Sequence, residues 1–382
     1  MSNIQPPASQ QTQYAKIGNY VAFIRSFGYD FKFNEITDRV ECNGIPLTDE
    51  LFNKIEFMLI EKGLSNERYT RVAINSTAYD NRYNPIKDYF AKLPYDGGNY
   101  FDQLVSCFDN PDHLFSVYLR KWMLGSVAKI NQGTQNPMLV MDGLQDIGKS
   151  LFVNWLCSGL PEYFTEGSID TENKDTQIRL TSKWIWEVGE FGHTARKADR
   201  EALKNIITQK TMSFRNPYGR YDKTKPILAS FIATINDEGG FLNDPTGSRR
   251  FMVCTINKID WKRYEQIDVN KLWGEIYAAY LIGEDSGLTA TQKKKKEENN
   301  KKYEIDDPIE NILKDKFVIK PGDLNLWTST ANLIYVLNEK GIRFGTIIAT
   351  QMALSSTCKK LGLEKAQQNN QKGYYGISPK LP

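Results

Sequence analysis

A strand, a turn and a helix in the middle of the chain limit what the rest can be. The run Met138-Leu-Val-Met-Asp-Gly-Leu-Gln-Asp-Ile-Gly-Lys-Ser-Leu-Phe-Val-Asn-Trp155 begins with four apolar residues and reaches Gly143. Four residues later, Gly148-Lys149-Ser150 opens a segment with Leu151, Phe152, Trp155 and Leu156 at helical spacing. Glycines at both ends of such a turn let successive N–H groups point inward at a phosphate, and the helix starting there adds the positive end of its dipole. The spacing predicts a phosphate loop in which Gly143, Gln145, Asp146, Ile147, Gly148, Lys149, Ser150 and Leu151 hold a nucleotide. Lys149 is expected to reach the outer phosphates and the Ser150 hydroxyl to ligate Mg2+.

The remaining strands supply partners for that chemistry. Lys183-Trp-Ile-Trp-Glu-Val-Gly-Glu190 predicts a buried strand at 184–186 that ends on Glu187. A magnesium nucleotide site needs one carboxylate to hold the metal through water and another to orient the attacking water. Glu187 is the candidate for the first role and Glu190 for the second, with capping of the following helix as the competing role for Glu190. A third apolar strand, 228–235, ends on Asn236, whose amide can align the water that attacks the γ-phosphate. Arg249 and Arg250 precede another strand, where they either form a surface salt bridge or stabilise phosphoryl-transfer charge in a neighbouring subunit.

Between these strands, 212–225 reads as two polar-aromatic arms about a turn at 217–219. Arg215, Arg220, Lys223 and Lys225 alternate there with Phe214, Tyr218 and Tyr221. Charge interleaved with aromatic faces suits a grip on a nucleic-acid backbone that does not read its sequence. A hairpin with a solvated basic face fits the same residues.

Composition admits this reading and narrows it. Hydrophobic content of 40% and charged content of 25% are those of a soluble globular protein, and the net charge of +3 confines any nucleic-acid surface to a local patch. Cys42, Cys107, Cys157, Cys254 and Cys358 lie far apart, and His113 and His193 are the only histidines, so neither a disulfide framework nor a zinc site has its spacing. Reduced cysteines, a polar N-terminus without an apolar signal region and the lack of a bilayer-length apolar run predict a cytoplasmic protein.

The predicted organisation is a disordered tail (1–12), a mainly helical N-terminal module (13–110), a core (111–284), a charged linker (285–305) and a C-terminal module (306–382). The N-terminal module is read as a helix at 17–29, a hairpin at 31–42 and a helix capped by Thr48 or Asp49. A long helix at 113–130 leads into the central strand, His113 at its start being solvated or a cap. The stretch 168–177 reads as loop, 198–208 and 261–282 as helices, and the lysine-rich 292–302 as a solvated helix or linker. From 309 to 376 the pattern is three helices and a strand, with Lys372-Gly373 as a wing turn. Lys359, Lys360, Lys365 and Lys372 suit a DNA backbone there, and a protein-docking module fits equally.

Taken in order, Gly-x4-Gly-Lys-Ser, Trp-Ile-Trp-Glu-Val-Gly-Glu, Leu-Lys-Asn-Ile-Ile-Thr, Phe-Arg-Asn-Pro-Tyr-Gly-Arg, Ala-Thr-Ile-Asn and Asp-Pro-Thr-Gly-Ser-Arg-Arg-Phe resemble the virulence-associated protein E family. That family looks like a branch of the superfamily 3 helicases, ring-forming AAA+ ATPases of phages, plasmids and pathogenicity islands. The similarity spans about 83–255. It implies an α/β fold with a P-loop AAA+ core, a helical N-terminal module and a winged-helix-like C-terminal module. By the resemblance Gly143, Gly148, Lys149 and Ser150 match Walker A, Glu187 with Glu190 the Walker B region, and Asn236 sensor 1. Arg249 and Arg250 match the arginine-finger motif, and the basic hairpin falls where these proteins place a DNA-gripping pore loop. The implied function is an ATP- and Mg2+-dependent helicase acting as a homo-hexamer on single-stranded or forked DNA, a separate primase being a further possible partner; related replication proteins often carry a primase domain, for which this chain has no evident motif. A nucleotide-gated DNA-binding or origin-recognition protein and a P-loop small-molecule kinase are the rivals. Family members usually carry glycine where this chain has Asp146, which either points outward or repels the phosphates.

Overall fold

The structure is a computed structural model, and it describes residues 8–170, 173–189, 197–215, 221–236, 241–242, 248–304, 307–342 and 345–380. The chain divides into two compact units, Met1–Tyr303 and Glu304–Pro382.

Helix α1 (Phe115–Gln132) leads into strand β1 (Met138–Asp142), and helix α2 (Lys149–Leu156) follows the glycine-bounded loop. Strand β2 (Phe164–Glu166), helix α3 (Lys174–Ser182), strand β3 (Ile185–Val188), helix α4 (Lys197–Thr208), strand β4 (Ser230–Ile235) and strand β5 (Phe251–Thr255) complete the central layer. These strands form one parallel sheet in the order β5-β1-β4-β3-β2. In register, Val140 of β1 lies between Ala233 of β4 and Val253 of β5. Both faces of a parallel sheet are covered, which is why its strands read as unbroken apolar runs.

Alternate residues of each strand serve different cores. Leu139, Met141, Ile185, Ile232 and Met252 pack with Trp122 of α1, Phe152 of α2 and Trp273, whereas Val140, Trp186, Phe231 and Val253 pack with Leu203 and Ile206 of α4. Two of the buried indoles have their polar ends satisfied inside: Trp122 Nε1 donates to the Phe231 carbonyl at 2.9 Å and Trp273 Nε1 to that of Leu156 at 2.8 Å.

Several expectations change in the folded chain. The lysine-rich run is not a bare linker: after helix α5 (Val269–Leu281), helix α6 (Ala290–Asn300) lies along β5 with Lys296, Asn299 and Asn300 buried. Asn299 Nδ2 donates to Val253 O at 2.8 Å and Asn300 Nδ2 to Phe251 O at 3.1 Å, so side-chain amides cover the open edge of the sheet. The stretch read as loop at 168–177 contains the start of α3, whose N-cap Asn173 accepts from Asp175 N.

The N-terminal module contains a four-stranded sheet besides its helices. Its first helix starts at Ala8, inside the expected tail, and Thr48 is the cap of the helix Asp49–Ile60. A helix also occupies Glu67–Asp80, which carries too few apolar residues to be seen as periodic: only Thr70, Ala73, Ile74, Thr77 and Ala78 are buried. From Ile86 onward, including Phe90, Phe101 and Leu104, the chain packs into the core of the central sheet rather than that of the N-terminal module. His113, with φ of 54°, precedes α1, and the capping is done by Asp112 and Asn110, whose Oδ1 atoms accept from Leu114 N and Phe115 N. All five cysteines are buried.

In the second unit, helices Pro308–Lys316, Thr330–Glu339 and Ile347–Lys360 surround Leu313, Leu333, Leu354 and Ile377. Strands Glu364–Gln368 and Gln371–Tyr375 form a hairpin whose turn is Asn369-Asn370, both left-handed with φ of 49° and 61°. The expected wing turn at Lys372-Gly373 therefore moves back: asparagine tolerates that backbone, and Lys372 and Gly373 belong to the returning strand.

Candidate nucleotide site and basic hairpin

The site is built at the end of β1. Gly143 follows with φ of 151°, and a Cβ added there would collide with the Ile256 carbonyl oxygen, so the backbone passes where only glycine fits. Gly148 (φ 96°) caps α2, whose first residues are Lys149 and Ser150. Asp146 also has a positive φ, 62°, and its side chain is exposed.

Lys149 is buried and turned back onto its own loop. Its Nζ donates to the carbonyls of Gly143 at 2.7 Å and Leu144 at 2.6 Å, and to Asn236 Oδ1 at 3.3 Å. Burial pushes the ammonium below the usual lysine range, while the charges of Asp142 and Asp146 pull it back up. Asn236 follows the last residue of β4, next to β1 in the sheet, so the loop lysine and the strand-end amide meet.

On the other side of the loop, Ser150 Oγ lies 3.3 Å from Thr234 Oγ1, which donates to Glu187 Oε1 at 3.0 Å. The sequence reading missed Thr234, although it stands two residues before Asn236 and so on the same face of β4. Glu187 is buried, and desolvation raises its carboxyl. The hydroxyls of Ser150 and Thr234 oppose that rise, and Glu166, paired with Glu187 in register across β2 and β3, adds to it. Asp142 and Tyr303 were missed as well: Tyr303 OH donates to Asp142 Oδ2 at 3.0 Å and accepts from Thr255 Oγ1 at 3.0 Å.

Arg249 and Arg250 are not brought to this site. They lie in the turn Ser248–Arg250 before β5, and Phe251 pairs with Met138 at the start of β1. The strands run parallel, so the arginines sit at the edge where strands begin, and the loop at the edge where they end. Five residues of strand separate those edges by about 16 Å. Glu190 lies outside the described residues.

The hairpin arms are the strands Thr211–Phe214 and Lys223–Pro226, paired antiparallel with Phe214 opposite Lys223. Tyr218, Arg220 and the turn at 217–219 lie outside the described residues. Arg215 pairs with Asp222 at 2.9 Å in an exposed contact. Lys225, expected among the nucleic-acid contacts, has another occupation: its ammonium is mostly buried, donates to the carbonyls of Glu35 at 2.9 Å and Ile36 at 2.7 Å, and pairs with Asp38 at 3.2 Å.

A glycine-bounded loop entering a helix at the carboxyl end of a parallel strand defines a class, the open α/β proteins that bind ligands in the crevice beyond their strand ends. Within that class the family is also shown: residues 90–305, more than half of the chain, match the virulence-associated protein E-like domain, and the chain belongs to that family. Comparison with curated proteins gave no match. Among solved structures the chain is similar to the A form apo structure of the NrS-1 C-terminal region, at 15% identity and a TM-score of 0.52, over 94% of this chain and 99% of that one. A second apo structure of the same region matches at 15% identity over 94% and 98% of the two chains, with a TM-score of 0.47. The first likeness is one of fold.

Proposed function

We propose that the chain is an ATP hydrolase of superfamily 3, AAA+ type, which moves along single-stranded or forked DNA in the replication of a phage, plasmid or pathogenicity island. The observation that carries this reading is the convergence at the end of β1: Lys149 and Ser150 open α2, Asn236 meets Lys149, and Thr234 links Ser150 to Glu187. Family membership supports the biological setting.

The residues fit Mg2+-ATP. Ser150, Thr234 and Glu187 form a run of hard oxygen donors, as magnesium prefers, and the loop turns through positive φ at Gly143 and Gly148. Mg2+ held there through Ser150 and Glu187 would supply neutralisation of the charge on the phosphates. Lys149 exchanges its two loop carbonyls for phosphate oxygens when nucleotide enters. Glu187 would hold the metal's water shell, and Asn236, with Glu190 as the second carboxylate, would orient the attacking water.

Arg249 or Arg250 serves as a finger for the next subunit, since neither lies near its own loop. Such a head-to-tail contact closes into a ring, here a homo-hexamer. The basic hairpin, through Arg215, Tyr218, Arg220 and Lys223, grips the strand, and the C-terminal unit acts as a winged-helix-like module for DNA or a partner such as a primase. Purified protein should hydrolyse ATP faster with single-stranded DNA than without it, and Lys149→Ala should lose at least 100-fold. Hydrolysis surviving that substitution sinks the loop assignment.

One observation favours a second reading, a nucleotide-gated DNA-binding protein with little turnover: Asp146 places a carboxylate in the loop itself. Tight ATP binding without hydrolysis in the native chain, with turnover appearing in Asp146→Gly, is the result that selects it.

A further inference from the structure

The contact between the basic hairpin and the N-terminal module is a built site. Asn34 is buried, and its Oδ1 accepts from Ile36 N at 2.9 Å and Thr37 N at 3.1 Å, folding residues 35–38 into a fixed turn. Asn34 Nδ2 is held in turn by Glu41 Oε1 at 2.8 Å and by Tyr163 OH of the central core at 3.0 Å, which ties the turn to the sheet. So fixed, the turn offers one ammonium a complete set of acceptors: the Glu35 and Ile36 carbonyls and the Asp38 carboxylate take all three donors of Lys225.

Lys223 is placed differently. Its only described partner is the same Asp38 Oδ2, at 3.4 Å, and its side chain is 43% exposed against 14% for Lys225. One carboxylate oxygen is thus shared by two ammonium groups, one locked and one open to solvent. Two lysines flanking one anionic oxygen is also the arrangement in which a backbone phosphate is held.

Building on the hairpin's proposed role in gripping DNA, we infer that Asp38 is an internal stand-in for a nucleic-acid phosphate: it masks Lys223 in the free protein and must be displaced from it by the strand. Lys225 is the positioning residue that fixes the hairpin's base, and Lys223 the contact that becomes available. The N-terminal module thereby sets the affinity of the hairpin for a polyanion without touching the strand.

The test is equilibrium binding of labelled oligo-dT to the full chain across a salt series. Asp38→Asn keeps an oxygen to accept from Lys225 and removes the charge from Lys223. It should bind about two- to fivefold tighter at low salt, the scale of an exposed ion pair. Because the strand displaces Asp38 from Lys223 in the native chain as well, the number of phosphate contacts, and with it the slope of log affinity against log salt, should stay the same. Asp38→Gly is the second variant, because Asp38 has φ of 56°, a conformation glycine adopts freely, and it should tighten binding equally. Unchanged affinity in both variants overturns the inference. Arg215→Glu with Arg220→Glu separates the two readings. If that pair leaves oligo-dT binding intact, the hairpin is not the grip; if it abolishes binding while both Asp38 variants behave as the native chain, only the masking role fails.

Discussion

Asp146 shows how one residue can oppose its surroundings twice. With φ of 62° it sits where a β-carbon crowds the following carbonyl, a cost of about 1–2 kcal/mol that glycine avoids. It also brings negative charge to the loop proposed to hold phosphate. Glycine at this position would relieve both, and the backbone half of that argument is one a sequence reading in terms of charge alone did not reach. The two effects separate by substitution. Asp146→Asn should tighten ATP binding several-fold with little change in stability, and Asp146→Gly should do the same while raising stability by about 1 kcal/mol. Nucleotide titration and thermal melting of both variants check this.

A second residue tests burial. Lys129 in α1 is fully enclosed, donates to the Ala229 carbonyl at 2.6 Å and lies 5.5 Å from the Phe231 ring centroid. Desolvation pushes it down to about 7. In the unfolded chain an ordinary lysine titrates near 10.4, so between those values the unfolded state holds the extra proton and folding gains as pH rises. The penalty is complete below about pH 7 and gone above about pH 10. Relative to Lys129→Met, the native chain should therefore gain stability across that window by up to about 1.4 kcal/mol per pH unit. A constant difference between the two in denaturant melts at pH 7 and pH 9.5 would show that Lys129 titrates normally.

Among the elements, the hairpin and α6 depart furthest from their sequence appearance. Both look like solvated basic segments. The hairpin arms follow the predicted pairing, yet Lys225 and Lys223 meet an aspartate 185 or more residues earlier in the chain, which no local pattern announces. The lysine run became a packed helix because β5 left an edge that its asparagines could satisfy. Its capping box, Thr289 with Gln292, is legible in the sequence; the burial of its far face is not. If the hairpin grips DNA, Arg220→Glu with Lys223→Glu should remove the stimulation of ATP hydrolysis by single-stranded DNA. Stimulation that persists would place the grip elsewhere.

For the whole molecule, the loop and the paired arginines occupy opposite edges of the sheet. If Arg249 or Arg250 acts as a finger, it therefore does so between copies. Arg249→Ala with Arg250→Ala should lower hydrolysis by about 1,000-fold or more, and mixing this variant with Lys149→Ala should restore a fraction of it, each supplying what the other lacks. Light scattering should show the native chain larger than a monomer under the same conditions. Mixed variants with no recovered turnover would rule out sharing between subunits.

The sequence by itself determined the local geometry: strand, glycine-bounded loop and helix, the apolar strands flanking them, and the polar residues at their ends. Those features depend on spacing within a few residues, because side-chain periodicity and turn conformation are short-range properties. Tertiary structure alone decided which residues face one another. Pairing β1 with β4 brought Lys149 to Asn236, and the neighbouring strands brought Thr234 between Ser150 and Glu187. The same folding closed Lys225 into a turn made by Glu35, Ile36 and Asp38. Charge and hydrogen-bonding capacity are written residue by residue, but the partner that uses them is fixed only when distant segments pack and water is excluded.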